Sequence, residues 1–338
     1  MRRRTAILIG AAAAILCIGG HAGDNWRWRL PAGIDRPIIP ADNRMSAAKV
    51  ALGRRLFYDA DLSIDGTMSC GTCHEQHRGF ADGNATHPGV RGAPGRRNVP
   101  GLANIAWAAS LTSADPRITT LEAQVLVPVL GDHPIEMGMK GEEAEIVRRL
   151  GSDDCYRHMF NSAFPESGGR IEMTAIARAI AAFERTLIAY DTPFDRYRQG
   201  HGNAIPPAAR HGAGLFAAYC ATCHAGPNFS DGGYHALEAR PDATDRGLAE
   251  VTGKAADNGR FRTPGLRNVA LTAPYLHDGS AKTLGDAIGR HGATLARPTR
   301  LSDAESADLI ALLRQLTDRR FVTDTDFAMP KKACGRRL

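Results

Sequence analysis

Cys70-Gly71-Thr72-Cys73-His74, repeated as Cys220-Ala221-Thr222-Cys223-His224, decides the reading of this chain. Two thiols two residues apart, followed at once by a histidine, form the pattern that attaches c-type haem. The spacing is set by the chemistry. The sulfurs form thioethers with the two vinyl edges of one porphyrin, and the adjacent imidazole reaches the iron from the proximal side. A redox CxxC does not need the trailing histidine. A zinc site would need a second Cys/His pair close by, and none accompanies either motif. Cys70, Cys73 and His74 therefore hold one haem, and Cys220, Cys223 and His224 a second.

The segments around the motifs read as helices and long irregular loops. Ser46 to Tyr58 has an amphipathic pattern, with Val50, Leu52, Leu56 and Phe57 as apolar positions. Glu142 to Leu150 and Met173 to Ile188 follow, the second with Ile176, Ile180, Phe183 and Leu187. Pro207 to Tyr219 leads helically into the second motif, and Ser302-Asp303-Ala304-Glu305 has capping-box form, opening a helix to about Leu316. No segment shows convincing strand alternation. Gly79 to Pro100 and Gly226 to Pro274 are loops, the first long enough to be functional. Gln199 to Pro207 has linker composition. The expected fold is mainly α, with two cytochrome c-like domains, residues 23–200 and 201–338, each holding one haem.

With 338 residues, two domains of ordinary size can each bury a core. The net charge of +6 comes from scattered arginines without an aromatic-interleaved basic stripe, so no nucleic-acid partner is expected. Residues 1–22 read as a signal peptide: Arg2, Arg3 and Arg4, the apolar run Ala6 to Ile18, then Gly20-His21-Ala22 as a cleavage site. That run is too short to span a bilayer, so an exported periplasmic protein is expected rather than an integral membrane one. Export fits the haem motifs, because c-type haem is attached outside the cytoplasm. Of the seven cysteines, Cys17 leaves with the signal and four hold haem. Cys155 and Cys334 remain, either bridged in an oxidising compartment or as separate thiols.

Several further stretches resemble the bacterial dihaem cytochrome c peroxidase/MauG family. They are Leu121-Glu122-Ala123-Gln124, Pro128, Pro134-Ile135-Glu136-Met137-Gly138, and the run from Leu266-Arg267-Asn268 to Tyr275-Leu276-His277-Asp278-Gly279. The N-terminal pattern Trp28…Leu30-Pro31, Pro40-Ala41-Asp42-Asn43 and Met45-Ser46-Ala47-Ala48-Lys49-Val50 is similar to the MauG-like enzymes of the methanobactin-associated MbnH group.

The resemblance implies a peroxide-reactive first haem on His74, with Glu136 as distal carboxylate and Gln124 and Pro128 lining the pocket. Cleaving a peroxide O–O bond needs a base that takes a proton from one oxygen and returns it to the other, and a desolvated carboxyl suits that task. The Gln124-to-Glu136 interval is longer than the family's, and His133 in the insertion competes for the distal role. Where conventional peroxidases place a closing histidine this chain has Val90. His87 is the nearby alternative, and His77 lies too close to the motif. For the second haem, His291 stands where relatives carry Met or Tyr, and imidazole favours more oxidised iron than Met does. Calcium between the haems is implied at Asn98, Thr272 and Pro274, and Arg96 and Arg97 are implied to pair with haem propionates. The family's inter-haem Trp falls at Ser113 or Ala114 here, leaving Trp107 as the nearest indole. Another relay position falls at Ala218, beside Tyr219.

The function expected is peroxide-dependent oxidation of a partner protein, through a bis-His second haem that stores oxidising equivalents. Resemblance to the MbnH group points to a Trp of a small copper-binding, MbnP-like protein. A conventional peroxidase fed by a cytochrome or cupredoxin is the first rival. A dihaem electron carrier, with two six-coordinate haems and no distal acid, is the second.

Overall fold

The computed structural model describes residues 26–237, 244–292 and 301–338. The expected signal peptide and Cys17 lie outside them. Nine helices longer than one turn are described. They are α1 (Ala47–Phe57), α2 (Leu121–Leu130), α3 (Glu143–Ser152), α4 (Asp154–Ala163), α5 (Met173–Glu184), α6 (Pro193–Arg198), α7 (Pro207–Tyr219), α8 (Leu284–Arg290) and α9 (Asp303–Arg314). The fold is mainly α. Two short antiparallel ribbons add to it, β1 (Tyr234–Ala236) with β2 (Arg260–Arg262) and β3 (Lys332–Ala333) with β4 (Arg336–Arg337). Strands of two or three residues cannot display alternation, which is why the sequence gives no sign of them.

Each half is built on a helix pair drawn together at a glycine. In the first half α1 crosses α5 at Gly53, where a Cβ would meet the Ala179 carbonyl oxygen at 1.8 Å. In the second, α7 crosses α9 at Gly212, where it would meet the Asp308 carbonyl oxygen at 2.0 Å. Only glycine permits either approach. Around the first crossing lie Leu52, Leu56, Phe57, Ile180 and Phe183, all fully buried. Around the second lie Phe216, Leu309, Leu312 and Leu316.

Helix ends follow local chemistry where that chemistry is strong. Ser46 caps α1 by accepting from the Lys49 backbone N–H at 3.1 Å, and Ser302 and Glu305 form the capping box of α9. One expected end moves: α5 stops at Glu184, not Ile188. Leu187 offers its carbonyl to the Asn104 N–H (2.8 Å), and the Ala189 N–H donates to Asn104 Oδ1 (2.7 Å). A buried asparagine thus takes the hydrogen bonds that a further helical turn would use.

The tail returns to the first half. Phe321 is buried in the first core, with Val322 and Phe327 packed against it, and Cys155 is disulfide-bonded to Cys334 across 179 residues of sequence. Closing so long a loop removes much freedom from the unfolded chain. Cys155→Ser is therefore expected to cost about 2–5 kcal/mol in denaturant unfolding. An unchanged midpoint and slope would show that the bridge adds nothing to the tail's packing.

Candidate haem site

Both Cys-x-x-Cys-His motifs open into one continuous cavity of about 1230 Å³. Such a space, walled by apolar side chains with a few polar groups, suits a large planar ligand. Cys70, Cys73, Cys220 and Cys223 form no disulfide. The two histidines are presented alike. His74 Nδ1 lies 2.7 Å from the Phe80 carbonyl oxygen and His224 Nδ1 lies 2.9 Å from that of Phe229. Each Nδ1–H donates to its carbonyl, which fixes the tautomer and leaves Nε2 as the free lone pair. Both phenylalanines have positive φ, 65° and 55°, an uncommon backbone state for a bulky residue. Burial lowers the pKa of both imidazoles, His224 to about 4, so both stay neutral, as ligation requires. The residues present fit two covalently attached haems.

The pockets differ on their other faces. In the second, the ring centroids of His224 and His291 are 6.2 Å apart. That separation matches two metal–nitrogen bonds of about 2 Å plus the half-widths of two imidazoles. His291 caps the C-terminal end of α8 with its Nδ1 2.7 Å from the Ala287 carbonyl oxygen, so Nε2 is the ring nitrogen that could reach a metal.

The first pocket has no imidazole in such ring contact with His74 among the described residues. It has Glu136, half-buried, whose pKa burial raises and the field of His87 partly restores. Glu136 is pinned by its backbone. Its carbonyl accepts from the Val90 N–H (2.8 Å), and the next residue, Met137, donates to Pro128 O (3.0 Å) while accepting from Ile64 N–H (2.9 Å). Pro128 lies inside α2, whose ladder it interrupts because it has no N–H. Gln124, one turn earlier, lines the cavity with its Oε1 buried and without a partner. His133 lies exposed at the cavity wall, and its neighbour Asp132 turns outward to Lys140. Val90 is 3% exposed, a core residue. His87 lines the cavity and lies close enough to perturb both Glu136 and His74. His77 sits on the surface beside Glu75.

Between the motifs, Asn98, Thr272 and Pro274 all line the cavity. The Asn98 Nδ2 group donates to Asn84 O (2.9 Å) and Ala85 O (3.3 Å), so its Oδ1 is left as an acceptor suited to a hard cation. Arg96 and Arg97 line the cavity too, but their guanidinium groups engage protein carboxylates. Arg97 makes two 2.8 Å bonds to Asp245, and Arg96 binds Glu250. Burial works to raise Asp245, yet the two arginines hold it down to about 2. His277 stacks on Phe261, centroids 3.8 Å apart. Trp107 donates from Nε1 to Asp35 O (3.0 Å) and meets Tyr190 edge-to-face at 5.6 Å. Ser113 and Tyr219 line the cavity as well.

Three groups around the site, two of them lining the cavity, carried no signal in the sequence. Arg262 is desolvated, donates to Thr112 O (3.2 Å) and has no carboxylate partner among the described residues, so it is a candidate to face a haem propionate. Tyr190 pairs with Trp107 on one side and lies under the Arg267 guanidinium at 4.4 Å on the other. Glu184 is a buried carboxyl treated below. None belongs to a recognisable spacing, and the chain brings each in from a distant element.

Known proteins resemble this one along its length. The profile of di-haem cytochrome c peroxidase matches residues 47–203, and that of cytochrome c matches residues 209–317. The methylamine utilization protein MauG of Methylophilus methylotrophus is 32% identical over 303 residues, covering 86% of this chain and 88% of the relative. The cytochrome c551 peroxidase of Pseudomonas aeruginosa is 34% identical, covering 80% and 78%. Among solved structures, a MauG-like protein associated with microbial copper homeostasis superposes with a TM-score of 0.85 at 38% identity, over 91% of this chain and all of that one.

Proposed function

This chain belongs to the di-haem cytochrome c peroxidase (MauG) family, and from that premise we propose that it is a periplasmic oxidase that uses hydrogen peroxide to oxidise a partner protein. It carries two c-type haems and is a peroxide-dependent oxidoreductase. We take residues 23–200 as the peroxidatic domain and 201–338 as the electron-storing one, behind a secretory signal at 1–22.

The observation that carries this reading is the asymmetry of the two pockets: His291 faces His224 at 6.2 Å, whereas the His74 pocket offers a half-buried carboxyl. The bound haems supply the electron transfer and the O–O cleavage. Glu136 takes the proton from one peroxide oxygen and returns it to the other, Gln124 orients the peroxide, and Pro128 keeps the pocket wall rigid. His291 closes the second site and favours its oxidised state. Trp107, against Tyr190, is the indole we assign to charge transfer in place of the family's Trp. Asn98 Oδ1 and the carbonyls of Thr272 and Pro274 hold a calcium ion. The likeness to a protein associated with copper homeostasis supports a copper-binding protein as the partner, oxidised at a tryptophan.

A second reading draws support from His87, which enters the cavity near both His74 and Glu136. If its imidazole closes the first haem at rest, the enzyme is a reductively activated peroxidase fed by a small cytochrome or cupredoxin. One preparation separates the two. The oxidised protein is expected to give one high-spin and one low-spin ferric EPR signal, with one calcium by elemental analysis. Peroxide should then add oxygen mass to the copper-binding partner, and W107F should slow that change. Two low-spin signals, with fast turnover of reduced cytochrome c and an unmodified partner, would replace the first reading by the second.

A further inference from the structure

Glu184 ends α5 with a side chain 8% exposed, facing the haem cavity on the Cys70 side. Its Oε2 is wholly buried without a partner, and neither oxygen makes a hydrogen bond or ion pair among the described residues. The charged groups around it are few. Arg185, the C-cap of α5, binds Glu122 on α2 through Nη2 at 2.8 Å and leaves Nη1 buried without a hydrogen bond, and Glu122 itself repels a second negative charge. The α1 side is apolar, with Phe57 against Phe183 at 5.2 Å. A buried carboxyl without a partner costs stability that packing does not return, so a purely structural role does not account for it.

We infer that Glu184 is a second proton-holding carboxyl of the peroxide pocket, giving up a proton as the His74 haem is oxidised and regaining it on reduction. The inference rests on peroxide reacting at that haem. Reducing hydrogen peroxide to two waters takes up two electrons and two protons. Glu136 only moves a proton already carried by the peroxide from one oxygen to the other, so the first water leaves with the peroxide's own protons. The two added protons enter with the electrons, when a buried carboxyl that has lost its proton can take one up. Desolvation pushes Glu184 up to about 8, ahead of the opposing pull of Arg185, so it enters the cycle as a neutral acid. As the pocket loses electrons, its growing positive charge favours the carboxylate, and the proton leaves to solvent, because the departing water already carries both of the peroxide's own protons. When electrons arrive from the partner, a proton from solvent restores the acid.

The test is a spectroscopic redox titration of the full holoprotein against pH. The His74 haem potential of the wild type should fall by about 59 mV for each tenfold drop in proton concentration, through the region near pH 8. E184Q should be flat there, while E136Q keeps that slope. Equal slopes in wild type and E184Q would overturn the inference. Should E184Q fail to take up haem, the infrared redox-difference spectrum of the wild type decides: a protonated-carboxyl band lost on oxidation supports the inference, and its absence overturns it. A partner protein left unoxidised by a wild type that keeps its slope would defeat the proposed substrate and leave Glu184 in its role.

Discussion

Glu136→Gln is expected to slow the reaction with hydrogen peroxide by about 10²- to 10⁴-fold, the usual contribution of a positioned acid–base group. Both haems should remain attached and the fold unchanged. Glutamine keeps the volume and one acceptor oxygen but cannot carry a proton between the two peroxide oxygens. The flanking bonds at Val90, Met137 and Pro128 are all made by the backbone, so the substitution leaves them intact. The pH profile separates this role from a structural one. Burial raises the Glu136 pKa against the opposing field of His87, and the base acts only when ionised. Its rate should therefore fall as the pH drops through that raised pKa, on a limb above the ordinary carboxylate range. In E136Q the limb should vanish. Stopped-flow mixing with peroxide over pH measures both effects. Were the limb to persist in E136Q and disappear in H133A, the exposed His133 would be the base instead.

The parts of the site encoded by short-range covalent or capping geometry were legible in the sequence. The two Cys-x-x-Cys-His motifs announced the haems, and Ser46, Pro207 and the Ser302/Glu305 box set helix starts that the structure reproduces. What the sequence hid depends on chain segments that meet only after folding. The periodicity of α5 runs on past Glu184, yet Asn104, eighty residues upstream, captures the backbone at Leu187 and Ala189. Cys155 and Cys334 left two options open until the tail was seen to fold back on the first core. Arg96 and Arg97 read as partners for haem carboxylates, and the protein also pairs them with Asp245 and Glu250, about 150 residues further along the chain. Arg262, with no such acid among the described residues, lines the cavity. An unpaired buried group such as Glu184 is hardest of all to foresee, because the sequence around it is that of an ordinary amphipathic helix.

Exchanging His291 for Met should change the second haem more than any other single substitution in that domain. The imidazole is delivered by local geometry. Thr283 and Asp286 form the capping box that fixes the start of α8, and His291 follows at its C-terminal end, its Nδ1 tied to Ala287 O at 2.7 Å. With the His224 ring 6.2 Å away, the two imidazoles are spaced to hold one metal between them. A thioether is a weaker donor to ferric iron than imidazole and stabilises the ferrous state. The potential of this haem should rise by a sizeable fraction of the roughly 0.8 V that axial ligands command. The first pocket, with its own proximal histidine and Glu136, should keep its peroxide reactivity. The variant should then turn over small reduced cytochromes faster and lose partner oxidation, because a high-potential haem accepts electrons readily but holds a weaker store of oxidising equivalents at its iron. His291→Ala completes the comparison: it should remove the low-spin ferric EPR signal altogether. If H291A kept an unaltered low-spin signal and H291M an unaltered potential, another side chain would be the ligand. The bis-His basis for storing oxidising equivalents would then fall with it.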